Sequence, residues 1–487
     1  MAFSAAVVIL QLFNIAKGQD MEARVSINAA GSSSVNVVGQ FLSARARSKR
    51  RNLSFLREFA GSIGLGGRFS DVHLFGPDGG EISARRLMAG EYLADSDIVR
   101  WSYSLDLRPS GPASSAAHVS WLADARGILM MDDILPQLSG GQVSATVVID
   151  APGNVRLSTV EDRTADGRLN ITDIEKAVVA VGTSSRDTAV TVGGTRLFAG
   201  ITGEWLFADD EAARMASSIF AGYAKMFGST PASDIQITIS HFPRPISPGN
   251  WEADTRGRSV TIMSSDMQFK SQSLQRLHEQ LRHEIFHLWI PNGVSLTGNY
   301  DWFYEGFALY QSLKSGVAAN QIRFDDYLNT LGQAYDIDNV RSNRLSLVEA
   351  SRTRWNGANT EVYARGMLVA LICDLVLMEA SGGRNTAEKL VRGLYQRYRL
   401  PNAARDGNLA VTEAMRQEPE LGPVVSRYVE GAEKIDLSGP LRLAGIDVIS
   451  EGTSVRLAVS AKLNGRQRDL LDKLGYNSWR KLSERPK

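Results

Sequence analysis

Two histidines and a glutamate near the middle of the chain have the types and spacing of a metal-binding helix. His283, Glu284 and His287 form a His-Glu-x-x-His pattern. On an α-helix, residues four apart lie on the same face, so His283 and His287 can offer imidazole nitrogens to one metal ion while Glu284 points toward the same cleft. The pattern predicts a zinc site in which Glu284 acts as the general base of a hydrolysis reaction.

A catalytic zinc ion takes three protein ligands and keeps one open position, so one ligand is still needed. Glu305 is the candidate, 18 residues after His287. The segment from Gly298 to Asp301 has turn residues, and we expect Asp301 to cap a second helix that begins near Trp302 and carries Glu305 to the site. The sequence therefore predicts one Zn²⁺ per chain, held by both histidines and Glu305.

The elements around the motif can also be predicted from residue spacing. Leu274, Leu277 and Leu281 form an apolar stripe at helical spacing, and we expect Pro291 and the residues after it to end the motif helix after Ile290. Residues 260–263 alternate as a short strand just before this helix. A strand in that position is expected to be the sheet edge that binds an extended peptide.

Composition limits what surrounds the site. The chain has 487 residues, of which 43% are hydrophobic, and a formal net charge of +1. This length and apolar content predict a globular protein of about three domains. The near-zero charge argues against nucleic acid or an acidic membrane surface as the main partner. The single cysteine, Cys373, excludes an internal disulfide and is interpreted as a buried thiol.

The order of patterns along the chain predicts an α+β protein. Residues 19–202 consist mostly of short alternating segments separated by glycine-rich turns, which predicts a β-rich N-terminal domain. The zinc motif lies in a predicted catalytic domain over 203–330, followed by a helical domain over 331–435 and a C-terminal tail over 436–487. The apolar segment 362–380 contains Arg365 and Asp374 and is predicted to be a buried helix, so we expect no stable membrane insertion.

The N-terminus has features of an export signal. An apolar run from Ala5 to Phe13 is too short to span a bilayer and is followed by small residues around Lys17. This predicts a signal peptide over 1–18 and a periplasmic or secreted protein. No positively charged side chain precedes the run, which leaves a cytoplasmic location open.

Four segments together resemble the glycyl aminopeptidase family of gluzincin zinc metallopeptidases. They are the motif helix through Trp289, the Glu305–Ala308 block, the Ser346–Ser351 segment and the Tyr363–Gly366 segment. The resemblance covers roughly residues 203–431. It implies a β-rich N-terminal domain, a thermolysin-like catalytic domain and a helical C-terminal domain. It also implies that Tyr363 donates a hydrogen bond to the oxyanion.

The family's usual Gly-Gly-Leu-Glu-His type segment, whose acid holds the substrate's amino group, is absent. Residues 250–257 stand in its place and contain two acids for that role, Glu252 and Asp254. The sequence favours a zinc-dependent peptidase that acts at the amino end of short peptides. A zinc endopeptidase and a non-enzymatic peptide-binding protein that retains the fold stay open as alternatives. His73 and His118 are isolated in the sequence and are interpreted as structural or surface residues.

Overall fold

The structure is a computed structural model that describes residues 18–476, apart from 30, 48, 49, 110, 125 and 453. The predicted signal peptide over 1–18 lies outside the described residues, except for Gly18. The chain divides into two compact units. The first comprises Met1–Pro112 and Val119–Thr183, and the second comprises Ala113–His118 and Ser184–Lys487.

The first unit is built almost wholly from strands. In chain order these are β1 Met21–Ile27, β2 Ser34–Phe41, β3 Asn52–Ser54, β4 Glu58–Phe59, β5 Ser62–Ile63, β6 Phe69–Phe75, β7 Glu81–Ile82, β8 Ala84–Met88, β9 Glu91–Ala94, β10 Arg100–Asp106, β11 Trp121–Ala123, β12 Arg126–Met130, β13 Ala145–Asp150, β14 Arg156–Ser158, β15 Asp162–Arg163, β16 Leu169–Ile171 and β17 Val178–Gly182. Two short helices accompany them, α1 Ala44–Arg47 and α2 Met131–Ile134.

An eight-stranded sheet forms the body of this unit, in the order β15-β16-β13-β1-β2-β10-β6-β7. Only β1 and β13 in it pair in parallel. A four-stranded sheet has the order β11-β12-β17-β14, and a three-stranded one the order β3-β9-β8. Alternation sets the buried face of β10, where Trp101, Tyr103 and Leu105 are buried and the residues between them are not. The predicted β-rich N-terminal region is confirmed.

The second unit combines one principal sheet with helices. Its strands are β18 Arg186–Val192, β19 Thr195–Ile201, β20 Asp234–His241, β21 Trp251–Arg256, β22 Ser259–Ser264, β23 Leu296–Thr297, β24 Arg405–Asp406, β25 Ile446–Glu451 and β26 Ser454–Val459. Its helices are α3 Asp209–Phe227, α4 Lys270–His287, α5 Asp301–Ala318, α6 Phe324–Asn339, α7 Leu347–Arg352, α8 Asn359–Ser381, α9 Ala387–Tyr398, α10 Gly407–Arg416, α11 Gly422–Val424, α12 Ser438–Leu443 and α13 Gly465–Lys473.

The principal sheet has the order β18-β19-β20-β22-β21. β19, β20 and β22 run parallel, and the two outer strands are antiparallel to their neighbours. The sequence pattern predicts that the N-terminal domain extends to residue 202, which would include β18 and β19. They belong to the second unit because β19 hydrogen bonds along its length to β20. The two units therefore divide at Thr183 and Ser184.

The helical region that follows the zinc motif packs into the same core as the principal sheet. α8 is buried almost throughout, as predicted for residues 362–380. No helix among the described residues has the length and apolar character needed to cross a membrane. Leu457 of β26 and Leu470 of α13 are buried in the core that also contains Leu281 of α4. The described part of the C-terminal tail is thus integrated into the second unit.

Candidate metal centre

The motif helix α4 is held by its apolar face. Leu277, Leu281 and Ile285 are fully buried, and Leu274 is half-buried near the start of the helix. α4 ends at His287, three residues earlier than predicted. The reason lies in its last turn, where the backbone amide of Trp289 donates to the carbonyl of Phe286, so the chain tightens to three-residue turns before Pro291.

Three ligand atoms converge at the C-terminal end of α4. The Nε2 atoms of His283 and His287 lie 3.1 Å apart. The Oε2 atom of Glu305 lies 3.1 Å from Nε2 of His283 and 3.4 Å from Nε2 of His287. All three residues are buried. The structure thus brings together the three residues that the sequence predicts as metal ligands.

These distances match the donor set of a tetrahedral zinc site. Atoms that each lie about 2.0–2.2 Å from a tetrahedral zinc ion are about 3.3–3.6 Å from one another, close to the three separations observed. His287 supports the fit, because its Nδ1 atom lies 3.1 Å from the carbonyl oxygen of Ile290. An Nδ1–H that donates to this carbonyl makes Nε2 the nitrogen that faces the site, and its lone pair becomes available to a metal ion once Nε2 loses its proton. Two imidazoles and one carboxylate are ligands that zinc prefers.

The charges of the ligand residues depend on one another. Burial disfavours the charged form of His287, but Glu305 and Glu284 outweigh it and raise the pKa of His287 to about 9. Burial disfavours the charged form of Glu305 as well. Arg354 and His287 outweigh that cost, and they hold the pKa of Glu305 well below its usual range. The carboxylate ligand is therefore ionised at neutral pH.

Glu284 is buried beside the ligands without joining them. Its Oε1 atom lies 4.0 Å from Nε2 of His283, and its Oε2 atom accepts a hydrogen bond of 2.7 Å from the hydroxyl of Thr255. Burial raises the pKa of Glu284, while His283, His287 and the Thr255 hydroxyl lower it in part. A carboxylate with a raised pKa, next to but outside a ligand set, has the position of a general base.

Asn292 holds Thr255 in place. From the sequence, Asn292 is predicted only to help end the motif helix. The side-chain amide of Asn292 donates to the carbonyls of Thr255, at 2.8 Å, and His287, at 3.1 Å. Its oxygen accepts from the amide of Gly257 at 2.7 Å. Asn292 therefore ties the end of β21 to the end of the motif helix. Neither Thr255 nor Asn292 carries a local pattern that predicts this role.

Glu305 and Tyr363 are brought together by a close crossing of α5 and α8. A Cβ atom on Gly306 would lie 2.3 Å from the carbonyl carbon of Gly366, so only glycine permits this approach. Glu305 directly precedes Gly306, and Tyr363 is three residues before Gly366 on α8. The ring centroids of Tyr363 and His283 are 6.2 Å apart. The predicted oxyanion donor thus borders the ligand cluster.

The predicted capping role of Asp301 is wrong. Asp301 is the first residue of α5, whose N-cap position is Tyr300. The Asp301 carboxylate instead accepts a hydrogen bond of 2.9 Å from Nη1 of Arg354. A buried guanidinium provides a stronger, charge-assisted partner than the backbone amides of the first turn.

The prediction that residues 260–263 form the peptide-binding edge of the sheet is also wrong. Residues 260–263 lie in β22, which is flanked by β20 and β21. The edge is β21, Trp251–Arg256, which lies within the segment 250–257. All six residues of β22 pair with β20 on one side and with β21 on the other, and all six are buried, as is typical of a strand inside a sheet that is covered on both faces. Glu252 and Asp254 both lie on the edge strand.

The two edge-strand acids have different surroundings. Asp254 lies 2.8 Å from Nε of Arg256 and 3.3 Å from Nδ1 of His118. Burial opposes its ionisation, but Arg256 and His118 lower its pKa. Glu252 makes no ion pair with any residue that the structure describes. Burial raises the pKa of Glu252, His118 lowers it and Glu284 raises it further. Of these two acids, Glu252 is the one whose carboxylate is available to a ligand.

Searches by sequence found no matching family model and no matching curated protein. Solved structures do match. The aminopeptidase N family protein from Idiomarina loihiensis aligns with a TM-score of 0.75 at 14% identity, over 92% of this chain and 82% of that one. An M1 zinc metallopeptidase from Deinococcus radiodurans aligns with a TM-score of 0.57 at 15% identity, over 86% and 94%. A mutant of it, bound to a Tyr-Ser-Ala substrate, gives 0.58 at 16% identity, over 87% and 96%. The multidomain α+β fold implied by the family resemblance is thereby confirmed: this chain has the fold of the M1 zinc metallopeptidases.

Proposed function

We propose that this protein is a zinc-dependent aminopeptidase that hydrolyses the first peptide bond of short peptides. The observation that carries the proposal is the convergence of three zinc-type donors within 3.1–3.4 Å of one another, with the Glu284 carboxylate beside them. The M1 zinc metallopeptidase fold supports it, and a structure with that fold has been solved with a Tyr-Ser-Ala substrate.

The metal ligands, Glu284 and Tyr363 have different roles in the proposed reaction. Zinc bound by His283, His287 and Glu305 would supply a Lewis acid that polarises the scissile carbonyl and acidifies the attacking water. Glu284 takes a proton from that water and delivers it to the leaving nitrogen. Tyr363 donates its hydroxyl hydrogen to the oxygen that becomes negative as the carbonyl is attacked.

Cleavage at the amino end follows from Glu252. An aminopeptidase must recognise a free ammonium group, and a partly buried carboxylate without a cation of its own provides a strong, charge-assisted partner for it. Asp254 already pairs with Arg256 and lies 3.3 Å from Nδ1 of His118, so it is a poor alternative. We assign Glu252 as the anchor for the substrate's amino group.

The test uses the purified 487-residue chain with measured zinc content and a peptide library prepared in free and N-acetylated forms. We expect release of single residues from free amino ends, no cleavage of acetylated peptides, and loss of activity after chelation that zinc restores. Internal cleavage of acetylated peptides would show that the protein is an endopeptidase and would overturn this proposal. Binding of peptides without cleavage by the zinc-loaded protein would replace it with a binding protein.

A substitution tests the anchor separately. Glu252→Gln removes the negative charge, and a hydrogen bond to a charged group contributes roughly 1.5–3 kcal/mol, so kcat/KM for free peptides should fall by about 10- to 150-fold. Glu22→Gln is the matched control, since Glu22 is a buried carboxylate of the first unit whose pKa is also raised. An equal loss in both variants would remove Glu252 from substrate recognition.

A further inference from the structure

A buried arginine joins the metal-ligand cluster to the predicted oxyanion donor. Arg354 lies in a 3₁₀ turn, Arg354–Asn356, between α7 and α8. Its Nη1 atom lies 2.9 Å from Oδ1 of Asp301 and 2.9 Å from Oε1 of Glu305. Its Nη2 atom donates to the hydroxyl of Tyr363 at 2.7 Å, and its Nε atom donates to the side chain of Asn359 at 3.1 Å. One guanidinium thus contacts four side chains.

The contact with Tyr363 fixes the direction of the phenol hydrogen. A guanidinium has five N–H donors and no acceptor, and it does not lose its proton in proteins. Tyr363 must therefore accept from Arg354, and it cannot use its own O–H in that bond. The hydroxyl hydrogen is left for a different acceptor. Burial, the charge of Glu305 and a hydrogen bond to Glu305 all raise the pKa of Tyr363, so Glu305 is that acceptor when no substrate is bound. As an oxyanion donor, Tyr363 would turn this hydrogen to the substrate oxygen instead.

The contact with Glu305 assigns a separate role to each carboxylate oxygen. Oε2 faces the histidine nitrogens, at 3.1 and 3.4 Å, while Oε1 faces Arg354. A partner that binds the oxygen turned away from a metal orients the ligand and is commonly worth a factor of 10–100 in metal affinity. Arg354 thereby limits rotation of the Glu305 carboxylate.

Two aromatic rings also lie close to the guanidinium. Cζ of Arg354 lies 4.5 Å from the ring centroid of Trp355 and 5.1 Å from that of Tyr363. A planar fork can bind both groups and contact both rings at once, whereas the point charge of lysine cannot. An Arg354→Lys substitution therefore keeps the positive charge and removes the geometry.

We propose that Arg354 is a positioning residue that orients the Glu305 carboxylate toward the metal and the Tyr363 hydroxyl hydrogen toward the substrate. The catalytic part of this inference rests on the proposed zinc aminopeptidase function, and the metal-binding part does not. The two parts lead to two separate measurements on the 487-residue chain loaded with zinc.

The first measurement is a double-mutant cycle on kcat. Arg354→Lys should lower kcat by about 10- to 100-fold in the wild-type background, because a misdirected hydroxyl loses most of the effect of one oxyanion donor. In a Tyr363→Phe background the same substitution should cost less than about threefold, since the hydroxyl is already gone. An equal loss in both backgrounds would mean that Arg354 does not act through the Tyr363 hydroxyl, and that result would overturn the catalytic part.

The second measurement is zinc affinity, read by equilibrium competition with a chromophoric chelator. Arg354→Lys should weaken zinc binding by about 10- to 100-fold. The matched control is Arg365→Lys. Arg365 is equally buried, lies in α8, and pairs with Asp338 and the carbonyl of Glu433 without contacting the ligands. The control should lose thermal stability with unchanged zinc affinity, and unchanged affinity in Arg354→Lys would overturn the metal-binding part.

A milder variant covers the case in which Arg354→Lys does not fold. Asn359 is exposed, and of the groups that contact Arg354 it binds only the Nε atom. Asn359→Ala should therefore fold. It should lower both kcat and zinc affinity by about two- to fivefold. No shift in either readout would overturn the proposal. If the wild-type protein binds zinc but cleaves no peptide, the proposed function fails while the affinity comparison still decides the role of Arg354 toward Glu305.

Discussion

The hydrogen bond from Thr255 to Glu284 allows a quantitative prediction for the pH dependence of catalysis. Thr255→Val removes the hydroxyl that lies 2.7 Å from Oε2 of Glu284 and keeps the shape of the side chain. A hydrogen bond to a charged group is worth roughly 1.5–3 kcal/mol, and one pKa unit corresponds to about 1.4 kcal/mol. The ionised form of Glu284 loses this stabilisation, so its pKa should rise by about one to two units.

The sign of the effect follows from the role of the base. Glu284 must be ionised to accept a proton, so activity is lost as the pH falls through its pKa. In Thr255→Val the acidic limb of the kcat/KM profile should therefore move to higher pH by about one to two units. Activity at high pH should change little, because Glu284 is then ionised in both proteins.

The assay is the pH profile of kcat/KM for a free dipeptide amide, with zinc content and thermal stability measured for each protein. Thr412→Val is the matched control. Thr412 is a buried threonine of α10 whose hydroxyl donates within its own helix, at 2.8 Å to the carbonyl of Asn408. An acidic limb that stays in place in Thr255→Val, with activity lowered uniformly at every pH, would refute the assignment of Glu284 as the base that Thr255 tunes.

Three further predictions concern the metal centre. Glu284→Gln should retain zinc and peptide binding but lower kcat by about 100- to 10,000-fold, measured by elemental analysis and steady-state kinetics; wild-type turnover would exclude Glu284 as the base. His283→Ala and Glu305→Ala should each lose most bound zinc, because two ligands hold the ion poorly, and full occupancy in either variant would remove that residue from the ligand set. Since the pKa of metal-free His287 is about 9, zinc binding at pH 7 should release about one proton and strengthen about tenfold per pH unit up to pH 9. Calorimetry in buffers of different ionisation enthalpy measures that proton, and its absence would contradict the charge state assigned to His287.

The parts of the site that depend on local periodicity could be predicted from the sequence. His283 and His287 share a helix face because they are four residues apart, and Glu305 follows on the next helix in the chain. The sheet edge could not be predicted in the same way. β22 pairs with β20 although β21 lies between them in the chain, and this pairing places β21 outermost.

The supporting side chains were missed for the same physical reason. Arg354 binds Asp301, which lies 53 residues earlier in the chain. Asn292 binds the carbonyl of Thr255, 37 residues earlier. No spacing rule connects such pairs, because their approach depends on how separate helices and strands pack.

The six residues Ala113–His118 belong to the second unit although the chain on both sides of them belongs to the first. They bring His118 to within 3.3 Å of Asp254 on the edge strand. The unit that contains the metal centre is consequently made of two separate segments of the amino-acid sequence. A fragment that starts at Ser184 would lack His118, and of the two contacts of Asp254 given above it would keep only the one with Arg256. A single truncation therefore cannot isolate this unit intact, and a fragment meant to retain the edge strand's charge balance would have to receive residues 113–118 as a separate peptide or through a new linker.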